Sequence, residues 1–319
     1  MTIIIQYQGV FILNCNGKIR YLFFIAYLLC FFVLSGFKSK ICYNYIIENN
    51  EEPYYYEENT PEFEEPLVSG PIKDLPWDEN ESFLNSLEQN NTPILMAAYR
   101  TVLKNPLPGE EYNVHLAASL LCGTIIKPGE VFSQNQLLGP YTKEKGYREG
   151  PTYIGSQLTT TVGGGVCKIS STLYNVAILC NLEIVQRYNH SMPVPYVPYG
   201  QDATVAYGVK DLKIRNNTDF PIMIWAEGIG EILYIAFYGS QEPPEVKWHH
   251  EFLATEKAPY IYKINPALAE GEQNVLLEGM NGATVKSWVT IHYSDGRVVT
   301  RQLGISHYLP MPHIIERNK

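Results

Sequence analysis

Two scarcities narrow the chemistry before any motif is considered. None of the six cysteines (Cys15, Cys30, Cys42, Cys122, Cys167 and Cys180) stands in C-x-x-C spacing, which leaves no support for a zinc ribbon or a thioredoxin-type site. Basic charge is also short. Lys and Arg number 24 against 33 Asp and Glu, for a net charge of −9. With no basic patch, nucleic acid is not an expected partner. His249 and His250 are neighbours, and adjacent strand positions point to opposite faces, so they make a poor metal pair. Nothing in the sequence indicates a metal or an organic cofactor.

Charge is absent from Tyr21 to Phe37, seventeen residues preceded by Lys18 and Arg20 and followed by Lys38 and Lys40. That length sits at the lower limit for a spanning helix and above the usual signal-peptide core. The expectation is a cytoplasmic stub and single-pass signal anchor over residues 1–40, with the membrane as a partner and the bulk of the chain extracytoplasmic. Cleavage after Gly36 and a buried soluble helix are the alternatives. Glu48 to Glu65 is rich in Glu, Tyr and Pro and lacks either period. It reads as part of an acidic disordered linker over 41–78, with order starting between Ser82 and Ile94.

What remains is ordinary globular chain, since 45% of the residues are apolar. Strands are expected at Pro93–Leu103, Leu182–Arg187, Ala203–Tyr207, Asp211–Arg215, Ile222–Ala226 and Ile232–Tyr238. A short strand is expected in Pro128–Asn135. Helices are expected at Glu111–Cys122, capped by Gly123, and at Val166–Cys180. Met192 to Gly200 carries three prolines and reads as an ordered loop. The fold class is therefore α+β: a mixed helix/sheet domain over 79–240, a linker at Gln241–Pro244, and a small all-β domain over 247–319. The latter has a hairpin signal at Ser294-Asp295-Gly296. Cys122 and Cys180 fall in apolar helical patterns. A disulfide between them is allowed, but nothing argues for it.

The richest stretch is VGGGVCKISSTLYN, Val162 to Asn175. Three glycines deliver Cys167 to the first turn of a helix, where free N–H groups and the positive end of the helix dipole favour thiolate. The alternative is a core cysteine, one of the most buried residue types. A length argument adds partners. A helix from Lys168 to Cys180 spans about 20 Å at about 1.5 Å per residue. A strand from Glu183 to His190 covers about 25 Å at about 3.3 Å per residue. If that strand runs back along the helix, His190 returns to Cys167, and Asp202 returns to His190 if the next strand pairs antiparallel. In a Cys–His–Asp set the thiolate attacks an acyl carbon, imidazole moves the proton, and the carboxylate fixes the ring. Backbone N–H groups from Gly165 to Lys168 are the expected oxyanion donors. Gly164, Gly165, Lys168, Ser170 and Tyr196 complete the candidate substrate and oxyanion contacts. The order resembles the papain- and transglutaminase-like core, although 23 residues from Cys to His is a short spacing.

NVHLAASLLCGTIIKPGEVFSQN, GPYTKEKGY, GGGVCKISSTLYN, RYNHSMPVPYVPYGQDATV and DLKIRNNTDFPIMI, in that order, resemble the VanW family, known from glycopeptide (vancomycin) resistance clusters. The resemblance puts the family cysteine, histidine and aspartate on Cys167, His190 and Asp202. It departs at Lys168, where the family usually has glutamine, and at Gln134, where it usually has phenylalanine. Lys168 thus puts a side-chain oxyanion role at that position in doubt. The resemblance implies a cell-envelope protein of a Gram-positive-type bacterium and brings no established activity. Phe252 to Lys319 resembles the five-glycine extracellular module of wall-associated proteins through Gly271, Gly279, Gly282 and Gly296, without its last glycine. That module implies adhesion or binding to amino-sugar polymers such as peptidoglycan. Two readings follow. One is a membrane-tethered thiol hydrolase or acyl transferase acting on peptidoglycan or a wall-linked peptide. The other is a non-catalytic wall-binding or scaffold protein, tied to the cell wall or to glycopeptide resistance.

Overall fold

The computed structural model describes residues 68–103, 106–154 and 157–319, together with the backbone of four short strands between residues 5 and 19. Those strands form two antiparallel pairs, β1 (Ile5–Tyr7) with β2 (Val10–Ile12) and β3 (Asn14–Cys15) with β4 (Lys18–Ile19). They belong to a unit, Met1–Lys40, distinct from the unit Ile41–Lys319. The uncharged run Tyr21–Phe37 and the acidic stretch Glu48–Glu65 lie outside the described residues. Among the described residues no helix is long and apolar enough to cross a membrane.

The described residues of the second unit start with β5 (Gly70–Ile72), α1 (Glu81–Asn90), β6 (Ile94–Val102), α2 (Glu110–Leu121), β7 (Thr124–Ile126), β8 (Val131–Ser133) and α3 (Gln134–Leu138). Then come β9 (Glu149–Ile154), β10 (Gln157–Val162), α4 (Cys167–Leu179), β11 (Glu183–Gln186), β12 (Lys213–Arg215), β13 (Ile222–Ile229) and β14 (Ile232–Gly239). Its frame is an antiparallel five-stranded sheet in the order β5-β6-β14-β13-β7. Period-2 alternation sorts the central strands between two cores. Ile222, Ile224 and Ala226 of β13, with Leu233, Ile235 and Phe237 of β14, face α2 and α4. Met223, Trp225, Tyr234, Ala236 and Tyr238 face the other way, onto Trp77 and Phe83. With both faces covered, β13 and β14 read as nearly unbroken apolar runs.

Trp77 also moves the start of order upstream of the expected Ser82–Ile94. It is 1% exposed and donates through Nε1 to the Tyr238 hydroxyl at 2.9 Å. The helix that follows has defined ends. The Asn80 side chain accepts from Phe83 N at 3.1 Å, and Asn91 closes α1 in the left-handed region at φ 53°. Two further elements carry weak periodicity and were not anticipated: the β9–β10 hairpin and the short helix α3.

β11, β12 and β8 form a three-stranded sheet. The strand expected at Ala203–Tyr207 does not form, apart from a bridge between Ala206 and Lys210. The physical reason is a competing set of bonds. Ser171 Oγ of α4 accepts from Ala203 N at 3.0 Å, and the hydroxyls of Ser170 and Ser171 donate to Ala203 O at 2.8 and 3.1 Å. The backbone is satisfied by a helix instead of a ladder.

The C-terminal region is all-β: β15 (Glu245–Glu256), β16 (Tyr260–Ile264), β17 (Gln273–Leu277), β18 (Gly282–His292), β19 (Val298–Tyr308) and β20 (His313–Arg317). One sheet orders β15-β18-β19 and the other β16-β20-β17. β18 and β19 join through the expected turn, with Gly296 at φ 87°. Val289 and Ile291 of β18 enter the core that α4 lines, and Trp248 of β15 meets Tyr174 of α4 edge-on at 5.8 Å.

The glycine run before α4 is a packing device. A Cβ on Gly164 would lie 2.2 Å from the carbonyl carbon and oxygen of Gly150 and 2.7 Å from Pro151 O, all backbone. Gly164→Ala is expected to cost about 1–3 kcal/mol or to block folding. Gly70→Ala, with nothing within 4 Å, is expected to stay within about 0.5 kcal/mol of the parent. Urea unfolding of the two variants checks the contrast.

Candidate functional site

Cys167 opens α4, a helix whose N-terminal residue Val166 provides no side-chain cap. Its neighbours Gly163 and Gly165 hold φ of 81° and 102°, a region that glycine enters without penalty. The turn uses most of its own donors: Val166 N bonds Gly163 O at 3.3 Å and Lys168 N bonds Gly165 O at 2.9 Å. Gly165 N and Cys167 N keep no backbone acceptor among the described residues. Sγ of Cys167 is half-buried, 3.4 Å from Thr204 Oγ1 and 3.7 Å from Val205 O.

The strand after α4 runs back along it but ends at Gln186, so the strand expected over Glu183–His190 gives way at Arg187 to irregular chain. β11 leads through Arg187 to His190, and the segment 202–204 comes alongside, with Thr204 N bonded to Tyr188 O at 2.8 Å. Asp202 is 1% exposed and its two oxygens are fully engaged. Oδ2 accepts from His190 Nδ1 at 2.6 Å and from His190 N at 2.6 Å. Oδ1 accepts from Arg187 Nη2 at 2.9 Å and from the Tyr308 hydroxyl at 2.5 Å. Arg187 also donates through Nε to Asp202 O at 2.7 Å.

These contacts set the protonation states. Burial alone would raise the Asp202 carboxyl, but His190 and then Arg187 hold it below its ordinary 3.8. Burial would lower His190; its bond to Asp202, then Cys167, push it up to about 9. Burial would raise the Cys167 thiol; interaction with His190, by hydrogen bond and charge, brings it from 9.0 down to about 7, with Thr204 and Val205 assisting. The two groups titrate as a pair. Between about pH 7 and 9 the favoured state is thiolate facing imidazolium.

The other candidate residues take distinct positions. Gly164 and Gly165 face backbone and Glu110, so they shape the turn. Ser170 is fully buried, its hydroxyl on Cys167 O at 2.9 Å and Ala203 O at 2.8 Å. Lys168 pairs with Glu110 and lies 4.9 Å above the Tyr196 ring. Tyr196 stands edge-on to His190 at 6.5 Å. Tyr196 therefore borders the imidazole, with Lys168 over the Tyr196 ring, whereas Ser170 and the glycines hold the backbone around Cys167. Gln134 is buried, with Nε2 donating to the Tyr141 hydroxyl at 3.3 Å. Cys180 is a free, buried thiol, so the disulfide that the sequence allowed between Cys122 and Cys180 does not form.

Arg187, Thr204 and Tyr308 were not anticipated. Arg187 carries a signal, because a buried aspartate requires a cation or several donors close by. Tyr308 carries none, since it lies 106 residues from Asp202. Among the described residues no group of three or more His, Cys, Asp or Glu could hold a metal ion.

The chain is similar to known proteins over part of its length. Residues 109–238 match the family model described as VanW like protein. The uncharacterized protein YoaR of Bacillus subtilis (strain 168) is 39% identical over 145 residues, 46% of this chain and 48% of the relative. The vancomycin B-type resistance protein VanW of Enterococcus faecalis (strain ATCC 700802 / V583) is 37% identical over 137 residues, 41% of this chain and 50% of the relative. The chain thus spans about half the length of these curated relatives. Among solved structures, it is similar to an IgA1 protease G5 domain, with 27% identity, 25% of this chain and 98% of that one covered, and a TM-score of 0.16. It is also similar to the HP0197 G5 domain, with 19% identity, 23% and 97% coverage and a TM-score of 0.14.

Replacing Asp202 tests the buried network. Asp202→Asn leaves the Arg187 guanidinium, whose side chain is 12% exposed, without its counter-charge. The expected cost at pH 7 is about 3–5 kcal/mol. Because the carboxyl is held below 3.8 when folded, its contribution is complete above that value and fades as pH falls through the lower folded one. The difference between parent and Asp202→Asn in urea should therefore shrink in acid.

Proposed function

Because residues 109–238 match the VanW family model, we propose that this chain is a cell-envelope protein whose VanW-like domain is a cysteine-dependent hydrolase or acyl transferase. Its substrate class would be an amide or ester of peptidoglycan or of a wall-linked peptide. One observation carries this reading: Asp202 holds His190 through Nδ1 at 2.6 Å, and His190 draws the Cys167 thiol down to about 7. The reading extends the family's tie to glycopeptide resistance, which the name of the Enterococcus relative states for that protein. Membrane tethering, with the folded region on the extracytoplasmic side, rests on the uncharged run Tyr21–Phe37 and its flanking Lys18 and Arg20. The boundaries 79–240 and 247–319 belong to the same reading, as does kinship with a papain- or transglutaminase-like core through the order Cys, His, Asp.

The chemistry follows from the pair. The Cys167 thiolate attacks the acyl carbon and forms the tetrahedral intermediate, whose oxyanion faces Cys167 N–H and Gly165 N–H. His190, protonated, gives its proton to the departing amine or alcohol as the thioester forms. Water or an acceptor amine then attacks the thioester while His190 takes its proton, and the acyl C–S bond breaks to release the product and return Cys167 as the thiolate paired with imidazolium. Asp202 stays ionised throughout and fixes the ring so that Nε2 faces the reaction.

A second reading is favoured by a different observation. In the sheet β16-β20-β17, Tyr260 and Tyr262 are 59% and 47% exposed and their rings stack at 6.3 Å. Arg317 lies 4.3 Å from the Tyr262 centroid. Such a face suits sugar rings, and the five-glycine pattern points the same way. On this reading the chain binds wall polymer or scaffolds other proteins without catalysis.

Alkylation of Cys167 in the full-length chain, followed against pH by site-resolved mass spectrometry, separates the two. The enzyme reading expects a midpoint near 7 that climbs toward the ordinary thiol value of 9.0 in His190→Ala. Slow labelling limited by unfolding, with no dependence on His190, would sink it and leave the binding reading. If the site is catalytic, Cys167→Ser should also abolish turnover of wall fragments while leaving the thermal midpoint nearly unchanged.

A further inference from the structure

The C-terminal β region reaches the thiol site along one strand. Three residues of the His190 segment are fastened in order to the end of β19 and the residue after it. Arg187 Nη1 donates to Ser306 Oγ at 2.8 Å, and Asn189 Nδ2 donates to His307 O at 2.9 Å. Leu309 N donates to Ser191 O at 2.7 Å. Tyr308 sits in the middle of this seam, 6% exposed. Its hydroxyl accepts from Gly200 N at 2.8 Å and donates to Asp202 Oδ1 at 2.5 Å. One oxygen therefore ties the chain just before Asp202 to the carboxylate itself.

We propose that Tyr308 is a positioning residue for the thiol site, so that the C-terminal β region completes the Cys167–His190–Asp202 array. The proposal rests on the catalytic reading above and adds that the VanW domain alone lacks part of the machinery. A carboxylate in a buried pocket has two oxygens to place. Oδ2 can face His190 only while Oδ1 is held elsewhere. Arg187 and Tyr308 are the holders, and Arg187 is itself fixed by Ser306 of β19. Without the Tyr308 hydroxyl, Asp202 is freer to turn, His190 loses part of its partner, and Cys167 loses part of the imidazolium that stabilises the thiolate. The titratable and charged groups involved are few. Asp202 faces His190, Arg187, Tyr308, Tyr174 and Tyr196; Cys167 faces His190, Tyr196 and Tyr141.

Seams of the same region that do not touch Asp202 supply the control. Tyr199 donates to Asn281 O at 2.7 Å and stacks edge-on against Tyr308 at 5.4 Å. Tyr199→Phe removes a contact between the two regions without altering the carboxylate.

The test is the pH profile of Cys167 alkylation in full-length Tyr308→Phe, Ser306→Ala and Tyr199→Phe, with thermal unfolding measured alongside. Tyr308→Phe keeps the ring and its packing. Its midpoint is expected to rise by about half a unit to one unit, which slows labelling below the midpoint by about three- to tenfold. Ser306→Ala should move the midpoint the same way by less, and it keeps the proposal testable if Tyr308→Phe folds poorly. Tyr199→Phe should leave the midpoint in place even where it lowers the thermal midpoint. A parent midpoint near 7 that depends on His190 but is unmoved by both Tyr308→Phe and Ser306→Ala would overturn the proposal and spare the catalytic reading. A parent midpoint at the ordinary thiol value would overturn both.

Discussion

A carboxylate with 1% of its surface exposed cannot stay ionised unless donors surround it, because desolvation of an unpaired charge costs far more than a fold can supply. Asp202 recruits four donors from three residues: the His190 ring and backbone, Arg187, and Tyr308. Two separate stretches of chain must deliver them. The irregular segment that follows β11 brings Arg187 and His190, and β19 brings Tyr308. The long proline loop from Met192 to Gly200 exists, in this light, to reverse the chain so that Asp202 meets both. Remove the carboxylate and the reason for that convergence goes with it.

The helix that carries Cys167 is built to hold the same convergence from below. Ser170, Ser171, Thr172 and Asn175 are fully buried on α4, an unusual density of polar groups for a central helix. Their bonds explain it. Ser170 and Ser171 grip Ala203, Asn175 Nδ2 donates to Gln201 O at 2.8 Å, and Thr172 Oγ1 lies 2.7 Å from Thr101 Oγ1 of β6. The residues on either side of Asp202 are thus fixed to the helix that presents the thiol. The distance between nucleophile and orienting group is set by side chains of a single helix, without a sheet ladder.

Much of this was legible in the sequence. The helix at Cys167, the strand after it, the apolar strands β13 and β14 and the β18–β19 hairpin follow from period and turn chemistry. A length argument was enough to bring His190 to Cys167. The missing parts share a cause. The strand expected at Ala203–Tyr207 had the right alternation, but its backbone is satisfied by serines 32 and 33 residues earlier, and alternation does not register side-chain competitors. Trp77 looked like the end of a linker because its partners, Phe83, Tyr234 and Tyr238, are spread across the chain. Tyr308 belongs to a region with its own period and its own glycines, and nothing local marks its hydroxyl as a partner of Asp202.

Position at a helix start is a tempting explanation for an acidic thiol, and magnitudes decide against it as the main cause. A helix terminus contributes about 0.3–1 kcal/mol to a charge in its first turn, well under one pKa unit at the centre of that range. The thiol falls from 9.0 to about 7 while burial pushes the other way. The net change alone corresponds to roughly 3 kcal/mol, and the opposing burial makes the stabilising part larger still. Only a charged partner supplies that much at short range. The imidazolium of His190 is that partner, and it persists up to about pH 9 because Asp202 stabilises it. The sign follows directly. The thiolate's contribution is complete above the ordinary thiol value and fades as pH falls through about 7. The imidazolium's is complete below 6.5 and fades as pH rises through about 9. The ion pair is therefore strongest between those limits, and its upper limit is set by the carboxylate that β19 helps to hold.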